Sequence, residues 1–209
     1  MAIFAPILRL GCATAVMAFA LGVSAQTYPQ PANPGLAGSN PGVNRTNTND
    51  ALYSATAQKE TDKDFVRQMI MGNHSEIDAG NLAVQKASNE EVKKFGQKMV
   101  DDHTMLLNDL TKLADELHIK APQAASSKDK AMAAKLSAMS GDAFDRAYVK
   151  DMVKDHEKDV AEVKKEANSA AIPEVKDAAT KALPVIQGHL EMIQGIQKNM
   201  VAGGSASTK

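Results

Sequence analysis

Between Thr61 and Met200 the apolar residues recur every three or four positions, and almost no stretch alternates with period two. Such spacing lays one apolar stripe along each of several helices and leaves nothing for a half-buried sheet, so the fold class is all-α. Four long helices can be bounded. The first runs from a capping box, Thr61 with Asp64, to about Ala87; the second from Ser88 or Asn89, with Glu91 completing a box on Ser88, to about His118. The third follows Ser140-Gly141-Asp142 and reaches about Asn168. The fourth opens on Pro173, a good first helical residue, and Pro184 inside it predicts a kink.

The connections are short, long, short. The long one, Ile119 to Gly141, contains Pro122 and a weak short helix over 129–139. Two antiparallel hairpins joined by such a crossover make a ferritin-like four-helix bundle, whereas an up-down bundle needs only short loops. A repeat agrees: FGQKMVDDH (95–103) and YVKDMVKDH (148–156) share Met-Val-x-Asp-His in corresponding helices.

The flanks differ in kind. Arg9, an apolar run from Cys12 to Val23, and Val23-Ser24-Ala25 form an export signal cleaved after Ala25, too short to span a bilayer. Residues 26–60, rich in Pro, Gly, Asn and Thr, read as a flexible linker, and 201–209 as a disordered tail, which bounds the domain at 61–200. Cleavage places the mature chain in the periplasm or outside the cell, with no transmembrane segment. It also removes Cys12, the only cysteine, so a site must be built from His and carboxylate. Net charge is −1 with both signs interspersed, and there is no Trp, which argues against nucleic acid as partner.

Placed at 100° per residue, His103 falls within the stripe Phe95, Met99, Leu106, Leu110; His156 within Tyr148, Met152, Val160, Val163; and His189 among Ala182, Ile186, Ile193. Glu76 lies on the stripe of Phe65, Met69, Gly80 and Ala83, while His74 sits at its edge and ranks lower. Each of the four is roughly 14 to 16 residues from its expected helix start, about 22 Å, so all four should meet at mid-bundle. A buried carboxylate with three imidazoles must be compensated. A cation does so, and this donor set suits Zn, Cu or Fe, with Asp102 and Asp155 orienting the histidines from behind. The alternative is a Glu-His hydrogen-bond network without metal. Glu-x-x-His is absent, which disfavours a di-iron oxidase. Met99 and Met152 could add soft ligands but read first as core.

Three segments, FVRQMIMGNHSEIDAGNLAVQKASNEEVKKFGQKMVDDHTMLLNDL, FDRAYVKDMVKDHEKDV and LPVIQGHLEMI, resemble the ferritin-like exported bacterial family catalogued as domain of unknown function 4142 (DUF4142). The resemblance implies a ferritin-like helical fold and export, and it brings no established reaction. Three functions remain open: an exported bundle binding a transition metal through its core Glu/His cluster, a non-catalytic envelope or stress-associated protein in which the cluster is structural, or, with least support, a redox enzyme on a ferritin-like frame. No nucleophile or phosphate loop points to an enzyme.

Overall fold

The computed structural model describes residues 46–206, and within them five α-helices and no strand. They are α1 (Thr46–Lys86), α2 (Glu90–Glu116), α3 (Ser127–Ser137), α4 (Gly141–Ser169) and α5 (Pro173–Ala206). The all-α expectation holds. The export signal, residues 1–25, and the linker as far as 45 lie outside the described residues. Among the described residues no helix is long and apolar enough to cross a membrane.

Two boundaries are corrected. α1 begins at Thr46 rather than Thr61, so 46–60 is helix where a linker was expected. The prolines and glycines of that segment all lie at or before Gly42, and the residues after Asn49 are mostly helix formers. Thr61 is therefore interior, its hydroxyl donating to Ala57 O rather than capping. α5 likewise continues to Ala206, into the expected tail.

α1 and α2 form one hairpin and α4 and α5 the other; α2 lies against α5, α1 against α4, and α3 rests on α1 and α4. The α1–α2 turn is tight because Asn89, not Ser88, caps α2: its side chain accepts from Glu91 N (2.7 Å) and Val92 N (3.3 Å). Ser88 is taken up elsewhere. Buried Asp145 of α4 accepts from its backbone and hydroxyl and from Asn89 N, which overrides the expected box with Glu91. At the other end the relation is reversed: buried Asp62 of α1 accepts from Ala171 N and Ile172 N, both at 2.7 Å, in the α4–α5 turn. Each hairpin thus supplies one carboxylate that closes the other's turn and satisfies donors a helix start leaves unpaired.

Within the first hairpin, Gly80 and Gly96 let the backbones touch. A Cβ on Gly96 would lie 2.6 Å from Ala83 Cβ, and one on Gly80 2.7 Å from Gly96 O. Apolar clusters fill both ends of the bundle. One gathers Phe95, Met99, Phe144, Tyr148 and Ile193; the other gathers Val66, Ile70, Leu110, Leu113 and Val175.

Candidate metal centre

Between those clusters three imidazoles converge. His103 of α2 is 4% exposed, and His156 of α4 and His189 of α5 are fully buried. Their ring centroids lie 6.1 Å (103–156), 5.2 Å (103–189) and 5.6 Å (156–189) apart. Each offers one ring nitrogen within 4.8 Å of the others. Phe95 closes the space from above, its ring edge-on to His156 and His189 at 6.3 and 6.2 Å. Leu106 and Ile186, one helical turn beyond His103 and His189, belong to the third apolar cluster.

The partners of the rings fix where their protons sit. His103 Nδ1 lies 2.9 Å from Asn73 Oδ1, and the Asn73 amide is oriented by donating to Met69 O at 2.7 Å. His156 Nδ1 faces Met152 O at 3.0 Å, and His189 Nε2 faces Asp102 Oδ2 at 2.7 Å. All three partners are acceptors. In the neutral ring each of these nitrogens must therefore carry the hydrogen and donate, which leaves a lone pair on the other nitrogen. Those other nitrogens, His103 Nε2, His156 Nε2 and His189 Nδ1, are buried and have no partner among the described residues.

The neutral state is enforced by burial. It pulls the His103 imidazole well below its usual value, helped by the two neighbouring rings, and pulls His156 down to about 4. His189 is also lowered by burial, against the pull of Asp102. Burial works to raise the Asp102 carboxyl, but hydrogen bonds from Lys98 and His189 outweigh it and hold the group below its usual range.

The structure thus brings His103, His156 and His189 together and sets the Asp102 carboxylate against His189. Glu76 does not join the three nitrogens. The α1 residue that meets His103 is Asn73, three positions earlier, so Glu76 stands about 4.5 Å further along the helix. It is 7% exposed with Oε2 unpartnered among the described residues, and burial followed by repulsion from Asp159 and Asp155 raises its carboxyl well above the usual range. Asp155 lies beside Glu76 on the wall of a cavity rather than behind a histidine. His74 is half-buried outside the trio. Met99 and Met152 are core residues, although the Met152 carbonyl holds His156. Asn73 was legible in principle, since it falls on the same stripe as Met69 and Glu76.

A family model described as "Domain of unknown function (DUF4142)" matches residues 47–196. No curated protein matches the sequence. Among solved structures, the chain is similar to "CopM in the Cu(I)-bound form", with a TM-score of 0.55 and 18% identity, over 66% of this chain and 96% of that one. At that identity the likeness shows a shared fold.

Proposed function

We propose that this chain, which belongs to the DUF4142 family, is an exported protein that binds one transition-metal ion between His103, His156 and His189. The observation that carries this reading is the agreement of the three tautomers. The three nitrogens left with lone pairs are all buried, on rings whose centroids lie 5.2 to 6.1 Å apart, and imidazoles that all donate outward cannot hydrogen-bond one another. Leaving a buried polar atom unpaired costs about 1–3 kcal/mol, so a purely structural network would carry that cost three times over. A water molecule has two hydrogens and relieves at most two of the three. A metal ion relieves all of them.

Metal–nitrogen bonds of about 2 Å set three nitrogens roughly 3.4 Å apart, so shifts of about 1 Å close the site. Three neutral nitrogens suit copper or zinc. Copper is favoured, because CopM, which shares this fold at low identity, has been solved in a Cu(I)-bound form. The two hairpins, with α3 across α1 and α4, support a ferritin-like arrangement of the bundle. Export rests on Arg9, the apolar run that follows and Ala25.

Elemental analysis of the protein after exposure to Cu(I), and separately to Zn(II), tests the reading. About one equivalent should bind and survive desalting, and His103→Ala or His156→Ala should abolish it. Less than about a tenth of an equivalent, unaffected by these changes, would overturn the proposal and leave the structural network.

A further inference from the structure

A cavity of about 310 Å³ opens between α1, the start of α3 and α4, and it reaches His103. Its charged lining is unbalanced: Glu76, Asp129, Asp155, Asp159 and Glu162 stand against Lys128 and Lys158. Lys158 is committed to Glu162 at 3.3 Å, and Asp129 accepts from the Ser126 hydroxyl at 2.6 Å. Lys158 also faces Asp155 and Asp159, and Tyr148 lies near Glu76, but the lining still sets five carboxylates against two lysines. A group of carboxylates on a surface would mean little, but Glu76, which lines the cavity, is more than nine-tenths buried and its Oε2 has no partner among the described residues.

We propose that Glu76, Asp155 and Asp159 form a second cation site, distinct from the three histidines, that takes a hydrated divalent ion through oxygen donors. The chemistry differs from that of the trio. Carboxylates around a space large enough to keep water suit a hard or borderline ion that retains part of its hydration shell, whereas neutral imidazole nitrogens suit a softer transition-metal ion. The electrostatics point the same way. Burial, then repulsion by the neighbouring carboxylates, raises Glu76, and burial outweighs nearby Lys158 to push Asp159 up to about 6. Raised carboxyls hold protons more readily, and an arriving cation would displace them. Because His103 lines the same cavity, the site also stands where an ion would wait before reaching the trio. That role, unlike the site itself, rests on the metal-binding reading above.

Mn(II), an oxygen-seeking ion, is the probe, followed by the loss of its free-ion electron paramagnetic resonance signal on titration into the full chain. About one equivalent is expected to bind the unaltered protein, and the near-isosteric double variant Glu76→Gln/Asp159→Asn should weaken binding at least tenfold or so. His156→Ala/His189→Ala, whose residues do not line the cavity, should bind Mn(II) as the unaltered protein does. Circular dichroism on each variant confirms the helical fold before titration. Absence of Mn(II) binding, or equal binding after the carboxylate changes, overturns the site. Loss of binding in the histidine variant overturns its separateness, since the ion would then sit on the trio. If Mn(II) behaves as expected while Cu(I) and Zn(II) show no histidine-dependent equivalent, the trio reading fails and the carboxylate site stands alone.

Discussion

At the scale of single residues, the centre is governed by what stands behind each imidazole. Asn73, the Met152 carbonyl and Asp102 all accept, and three acceptors in a row convert three ambiguous rings into three defined ligands. The same burial makes the metal-free trio sensitive to acid. His156 titrates at about 4 in the folded chain against an ordinary 6.5, so the folded state binds its proton less readily than the unfolded one. The resulting stability is fully present above pH 6.5 and is lost as pH falls from 6.5 toward 4, a loss of about 3 kcal/mol for this ring alone. Glu76 and Asp159 act in the opposite sense: their raised carboxyls favour the fold as pH falls through about 6 for Asp159. The metal-free melting temperature is therefore expected to fall between pH 6.5 and 4, and to fall more steeply in Asp159→Asn, which removes the opposing carboxyl. A flat profile in both would contradict a neutral buried trio. Phase along the helices made the three histidines legible in the sequence. Glu76 was grouped with them because height was counted from Thr61, and a difference of three residues is enough to move a carboxyl out of a coordination sphere.

At the scale of elements, the Gly80–Gly96 crossing brings α2, with His103, up against α1, with Asn73. Gly96→Ala would gain helix propensity of roughly 1 kcal/mol. Its methyl would nonetheless meet Ala83 Cβ and the Gly80 carbonyl inside any tolerated distance. Backbone must move to make room, and overpacking of this kind costs about 1–3 kcal/mol, so net destabilisation is expected at the denaturant midpoint. An unchanged or raised midpoint would show that the hairpin can part without cost. Periodicity located all five helices but not their ends. The start of α1 was hidden because composition averaged over 26–60 blends a proline-rich half with a helix-forming one, and a residue-by-residue reading places the change after Gly42. Ser88 was misread for another reason. Its hydroxyl had a stronger partner in Asp145, and a contact between residues so far apart in the chain leaves no local signal.

At the scale of the whole molecule, the two carboxylates that close the turns lie on opposite sides of the trio. Asp62 precedes Asn73 by the same number of positions as Asp145 precedes His156, roughly 16 Å along each helix. Asp62→Ala would strip the acceptor from two backbone donors at the start of α5 and should lower stability by about 2–4 kcal/mol, read from urea unfolding of the metal-free protein. The same change should raise the dissociation rate of a bound ion, measured by transfer to a chelator, although Asp62 touches no ring; an unaltered rate would show that the two ends are uncoupled. The ligands are divided between the hairpins, one histidine on the first and two on the second. Parting the halves would draw His103 away from His156 and His189, and with a latch at each end they cannot hinge from either side until one latch opens. The structure therefore behaves as a clasp whose holding time is set at its fastenings, so two turns far from the metal become the places where retention can be tuned.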